Sequence, residues 1–194
     1  DRRGGAGGFD LYRAQWTGAT FRDVVRLPDW INSALDEVDP APHPDTGSVV
    51  FVQRDPGRDD GENGVLVWCD LVDPDATRQL YETEHRRPRI DRDPAFSPDG
   101  VSLWFVREVA GETPAVLRAW RLGDEFAPPV VVFAPAGSAA WSAPAPVTGG
   151  FAVRLLQPGS SGEPGTRALV YRAQAREVFP WWKGEAGVLM GSAP

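Results

Sequence analysis

Along most of the chain, apolar positions fall in runs of only a few residues, rich in valine, phenylalanine and tryptophan and separated by glycine, proline and aspartate. Runs of this kind predict β-strands joined by tight turns. The clearest cycle opens with DPAFS from Asp93 and turns at Pro98-Asp99-Gly100. It continues through VSLWFVREV, VLRAWRL and PPVVVFA as second, third and outer fourth strands. At the turn, proline presets φ, and the Asp-Gly pair tolerates or supplies positive φ. Helical periodicity is nearly absent. WINSALDEV has the length for one turn, but reads better as a connection between units. The 19 prolines and 21 glycines suit many turns and few helices.

The cycle recurs. DPAPHPDTGSVVFV (39–52), DPAFSPDGVSLWFV (93–106) and a degraded APAPVTGGFAVRL (143–155) align, and Pro40, Pro94 and Pro144 open them at spacings of 54 and 50 residues. A second ladder, FDLYRAQ, VLVWCDL, VLRAWRL and ALVYRAQ, places Tyr12, Trp68, Trp120 and Tyr171 at intervals of 56, 52 and 51 residues. A period near 50 residues with four strands per unit predicts a β-propeller, whose blades pack face to face. One blade cannot bury both of its faces. The recurring aromatics, with most of the eight tryptophans, are therefore expected between blades.

The predicted fold is all-β, a single β-propeller region of about three and a half four-stranded antiparallel blades. Residues 1–37 supply the last two strands of one blade, and 38–88, 89–138 and 139–182 are fuller blades. Residues 183–194 are the first strand of a further blade or a tail. The chain is then expected to be part of a larger, six-bladed ring, its remaining blades coming from the parent chain, because a blade without its second strand exposes unpaired backbone.

Charge and composition narrow the role. A net charge of −7 argues against a nucleic-acid partner. No window approaches the ~18 apolar residues of a membrane-spanning helix, so this segment is not expected to insert into a membrane. The opening DRRGGAGGFDLY has no apolar core of a secretory signal, as expected of a chain that begins within a unit. The single cysteine, Cys69, sits in the apolar run GVLVWCDL and reads as a buried small hydrophobe.

Candidate chemistry is sparse. Of the two histidines, His43 occupies a turn, where it can replace serine as a local hydrogen-bonding residue, and His85 lies in a charged connection. One cysteine and two scattered histidines are too few for zinc. No nucleophile elbow, phosphate loop or dinucleotide fingerprint occurs, and GGAGG leads into a strand rather than a helix. No catalytic residue and no cofactor are expected. Two charged loops remain. Asp55, Asp59, Asp60 and Glu62 on RDPGRDDGENG offer oxygens for calcium, but without the alternating spacing of an EF-hand; a solvated loop tip is the simpler reading. His85, Arg86, Arg87 and Arg89 of HRRPRIDRD form a candidate partner contact, although alternating arginine and aspartate also suit self-neutralising pairs.

The run from Phe9 to Asp55 resembles the WD-repeat-like β-propeller repeat of bacterial envelope proteins, found in TolB-type periplasmic proteins and in propellers joined to peptidoglycan-binding domains. Gly7, Gly8, Asp10, Leu11 and Tyr12 match its glycine-rich loop and "DLY" strand. Ile31, Asn32, Ser33, Asp36, Glu37 and Pro40 match the connection, and Ser97, Pro98, Asp99 and Gly100 match the turn. Departures are His43 in place of the turn serine, an inserted Thr46, and VTGG in the last unit. The resemblance implies an extracytoplasmic, periplasmic scaffold that binds another protein or complex, without catalysis. The alternatives are a gating propeller of a larger hydrolase, such as a prolyl oligopeptidase-like peptidase, and a propeller binding a small ligand in its channel.

Overall fold

The computed structural model describes residues 8–55, 57, 63–81, 89–134, 140–141, 144–147, 150–158, 164–174 and 177–180. For residues 63, 140–141, 147 and, apart from Phe151, 150–180, the description is of the backbone. Among the described residues the fold is all-β, with no α-helix and no helix long and apolar enough to cross a membrane.

β1 (Tyr12–Trp16) and β2 (Phe21–Arg26) form an antiparallel hairpin. β3 (Asp36–Pro42), β4 (Ser48–Arg54), β5 (Asn63–Asp70) and the short β6 (Arg78–Gln79) form an antiparallel meander in chain order. β7 (Arg89–Phe96), β8 (Ser102–Val109), β9 (Ala115–Leu122), β10 (Glu125–Phe126) and β11 (Val130–Phe133) repeat it, β10 and β11 both pairing with β9. A third meander has β12 (Ala140–Trp141) and β13 (Ala145–Val147) on β14 (Gly150–Pro158), then β15 (Pro164–Gln174) and β16 (Glu177–Pro180). Two parallel pairs, Asn63 with Arg89 and Gly64 with Ile90, join the first and second meanders into a mixed sheet. Gly64 permits that approach: a Cβ there would lie 2.8 Å from the Asp91 carbonyl oxygen.

The first two meanders repeat position for position, at an offset of 54 through their first two strands and of 50 in the third. Asp39 and Asp93 both take positive φ, at 50° and 53°. Each sits at a register shift, between Val38 and Ala41 in β3 and between Arg92 and Ala95 in β7. An aspartate tolerates this conformation, and the following proline has no N–H for the ladder, so Asp-Pro builds a bulge. Both turns close the same way: His43 N–H donates to Ser48 O at 2.9 Å and Ser97 N–H to Ser102 O at 2.8 Å. Thr46 is therefore not an insertion but stands where the second turn has Gly100.

The register also corrects the aromatic ladder. Trp68 lies opposite Val50, and the equivalent pair in the second meander is Arg118 opposite Trp104. Trp120 lies two positions further along, opposite Ser102. Trp68 is buried, whereas Trp120 is 38% exposed. Tyr12 is half-buried, and the Tyr171 side chain lies outside the described residues. Of the five tryptophans whose side chains are described, Trp68 and Trp104 are buried, and Trp16, Trp30 and Trp120 are substantially exposed; the other three side chains lie outside the described residues.

Strand alternation distributes the core between faces. From the first meander, Val50, Val52, Leu66 and Trp68 pack against Leu103, Phe105 and Leu117 of the second. The opposite face of the first meander, Val49, Phe51, Val67 and Cys69, packs on Leu11, Leu27 and Ile31 around the hairpin. Val49, Phe51 and Val67 are the equivalents of Leu103, Phe105 and Leu117. The units thus stack in one direction, each offering its predecessor the same face. On the far face of the second meander, Trp104 meets Phe151 with ring centroids 5.0 Å apart. Full burial of each Val, Leu or Phe contributes roughly 1.5–3 kcal/mol, so this stacking dominates stability.

Polar groups fasten the same joints. Buried Asn32 accepts from Leu11 N–H at 2.7 Å and donates to the carbonyls of Leu11 and Leu27 at 3.0 and 2.9 Å. Buried Glu37 accepts from the Ser33 hydroxyl at 2.6 Å and from Gln53 at 3.3 Å. Its equivalent, Asp91, is fully buried and pairs with Arg107, the equivalent of Gln53, through bonds of 2.7 and 2.8 Å.

Candidate functional site

Strands β3 and β7 flank an open groove of about 320 Å³, lined by Pro40, Pro42, Pro44, Pro94, Pro98 and Phe96 among others. The Asp-Pro bulges and the turns that follow them place these prolines, so the repeat itself builds the groove. Proline offers a carbonyl acceptor and apolar ring carbons but no donor. A ligand here would have to bring its own N–H groups or apolar surface. The bulge carboxylates are engaged beside the groove: Asp39 pairs with Arg54 at 3.5 Å, and Asp93 with Arg92.

At one end of the groove His43 ties the two meanders together. Its Nδ1 accepts from the backbone N–H groups of Asp45 and Thr46 at 3.1 and 3.2 Å. Nε2 therefore carries the proton and donates to Gly100 O at 3.1 Å. The Arg121 guanidinium approaches Nε2 to 2.9 Å, and since both groups are donors this is a close contact with a cation. Burial, followed by the Arg121 charge, outweighs the opposing bond to Gly100 and nearby Asp45 and holds His43 below its ordinary pKa. The histidine does the work of the turn serine. Gly100 is required opposite it, having φ +67° and a Cβ position 2.5 Å from the imidazole.

In the second turn Ser97 takes this place. Its Oγ donates to Asp99 at 2.6 Å and accepts from Ser102 N–H at 3.0 Å. The Ser97 hydroxyl and the Val101 N–H hold the Asp99 carboxyl below the usual carboxylate range. A general base needs its pKa raised towards neutrality, so this serine and aspartate shape a turn rather than activate a nucleophile. Burial pushes the Cys69 thiol up to about 12, with Asp70 adding to the rise, which removes its nucleophilic form at neutral pH.

Of the candidate partner contact, His85, Arg86 and Arg87 lie outside the described residues, and Arg89 is turned inward. Its guanidinium is 3.4 Å from Asp91 and donates to Tyr81 O at 2.8 Å. The Arg89 side chain is 9% exposed. Phe105 stacks on Tyr81 at 5.7 Å, and the Arg107 guanidinium stands 5.4 Å from the Phe105 ring centroid. Of the calcium candidates, Asp59, Asp60 and Glu62 lie outside the described residues. Asp55 accepts from Gly57 N–H at 2.9 Å, an exposed local turn. Among the described residues no group of three or more His, Cys, Asp or Glu is placed to hold a metal ion. Pro40 and Pro94 line the groove, while Asp99 and Gly100 hold the turn beside it.

Sequence reasoning missed the Asp91–Arg107 pair and the Arg121–His43 contact. The first was within reach, because Asp91 and Arg107 stand 54 residues beyond Glu37 and Gln53. No family model matches this chain, and no curated protein matches it.

Proposed function

We propose that the stacked meanders are successive blades of a β-propeller and that the chain is a non-enzymatic platform for another protein in the bacterial cell envelope. The observation that carries the reading is the stacking itself. Equivalent residues 54 apart, such as Phe51 and Phe105, each face the preceding unit, and a propeller is built by that rule. The proline-lined groove then runs along the inner strands, nearest the axis. It is apolar and open, as binding surfaces are, and its serine and carboxylates are spent on turn and bulge geometry. The extracytoplasmic setting rests on the resemblance to TolB-type repeats.

Photo-crosslinking in envelope extracts tests the platform role. A photoreactive residue at Pro42 or Pro98 is expected to capture one discrete partner. The same probe at Val72, which is 83% exposed and outside the groove, is expected to capture none. Equal labelling from all three positions, or none from the groove, would overturn the proposal.

A further inference from the structure

Five arginines stand on the second meander, and four of them have a carboxylate partner. Arg89 and Arg107 pair with Asp91 at 3.4 and 2.7 Å, Arg92 with Glu108 at 2.6 Å, and Arg121 with Asp124 at 3.6 Å. Arg118 has none among the described residues. Its guanidinium carbon stands over two indoles instead, 5.0 Å from the Trp104 ring centroid and 4.5 Å from that of Trp120. Its Nε is buried without a hydrogen-bond partner among the described residues. Burial lowers the Arg118 pKa. The charge that opposes this, Asp99, spends its carboxylate on the Ser97 hydroxyl and the Val101 N–H.

The first meander shows that the fold does not require a cation here. The counterpart of Arg118 is Trp68, a buried ring with Phe96 and Phe126 at 6.1 and 5.5 Å. In the second meander exposure rises across the same face. Trp104 is 2% exposed, Arg118 half-buried, Trp120 38% and Leu122 64% exposed. Strand alternation puts Arg118, Trp120 and Leu122 on one side of β9, and Val130, opposite Arg118 in the register, is 45% exposed. A partly desolvated cation without a counter-ion therefore adjoins an exposed apolar patch. Such a charge costs free energy until it is paired.

We infer that Arg118, Trp120, Leu122 and Val130 form a docking surface for a partner protein's acidic side chain flanked by apolar residues. The unmatched charge is positive, so the occupant brings a carboxylate. It accepts from the terminal guanidinium nitrogens, a planar fork that suits bidentate pairing. The flanking apolar residues cover Trp120, Leu122 and Val130. Tryptophan and arginine are the residue types that dominate binding energy in such patches. None of these four residues lines the proline groove. Capture of a partner at Pro42 or Pro98 is therefore neither needed for this contact nor explained by it.

The probes are two capped peptides, Ser-Leu-Glu-Val-Ser and the same sequence with Gln for Glu, titrated into the intact chain. Tryptophan fluorescence gives the affinity, and the Arg118 Nε–H resonance in NMR spectra reports on the site. The Glu peptide is expected to bind saturably, about tenfold or more tighter than the Gln peptide, and to shift that resonance. Arg118→Gln should erase the difference between the peptides. Trp120→Ala should weaken both and leave the preference for Glu in place. Equal affinity for the two peptides in the unaltered chain overturns the inference, and that comparison needs no variant to fold. Binding of the Glu peptide without a shift at Arg118 overturns it as well. So does acetate that binds as tightly as the Glu peptide, because the apolar flank then contributes nothing.

Discussion

Replacing Arg107 with glutamine tests whether the ion pair at the joint of the first and second meanders is structural. Asp91 is fully buried and receives two charge-assisted bonds from Arg107, at 2.7 and 2.8 Å. Removing one partner of a buried pair costs about 3–5 kcal/mol, because the remaining charge is stranded. Arg89, at 3.4 Å from Asp91, still offers partial compensation, which puts Arg107→Gln near the lower end, about 3 kcal/mol. For a chain of this size that corresponds to a fall in Tm of about 6–12 °C. Urea unfolding followed by tryptophan fluorescence gives the free energy directly. The double change Asp91→Asn with Arg107→Gln removes both charges and should regain more than about 1 kcal/mol over the single variant. A loss below about 1 kcal/mol for Arg107→Gln, or no recovery in the double variant, would refute a buried, mutually dependent pair.

Acid should weaken the fold through His43. Its native pKa lies below the unfolded value of 6.5, so below that pH the unfolded chain binds a proton that the native state refuses, and stability declines as pH falls through this window. The urea midpoint should drop between pH 7.5 and pH 5, and His43→Ser, which restores the residue of the second turn, should flatten that dependence; an identical slope in the variant would count against the assignment. Trp68→Ala should cost about 3–5 kcal/mol, whereas Trp120→Ala, stacked at 4.5 Å from the Arg118 guanidinium but substantially exposed, should cost about 1 kcal/mol. Equal losses in chemical denaturation would mean that the two tryptophans are equivalent and the register is wrong.

Much of this architecture was readable because proline and aspartate leave marks that packing cannot erase. Asp39-Pro40 and Asp93-Pro94 announce bulges, and the turn residues after them fix the offset of 54. Aromatic residues were poorer guides. β4, β5 and β8 are covered on both faces, so VVFV, LVWC and LWFV show no apolar–polar alternation to set their phase. By sequence Trp120 aligns with Trp68, whereas its structural counterpart is Asp70. Arg89 looked like a surface charge because its neighbours are charged, and only the cross-strand partner reveals the carboxylate that draws it inward. The groove could not be anticipated, since its two walls lie 54 residues apart and meet only through stacking.

The one-way stacking carries a consequence for how such a chain can change. Among the described residues, each joint between meanders brings together two different surfaces, the back of one sheet and the front of the next, so one kind of contact is used repeatedly. Its energetics are those of a row of neighbours. Excising a whole period, 54 residues between matching points of the first or second strands and 50 between those of the third, would reunite surfaces already complementary, whereas joining points that do not match would leave two mismatched. Gain and loss of material should therefore proceed in whole modules, with point changes confined to the edges of each joint.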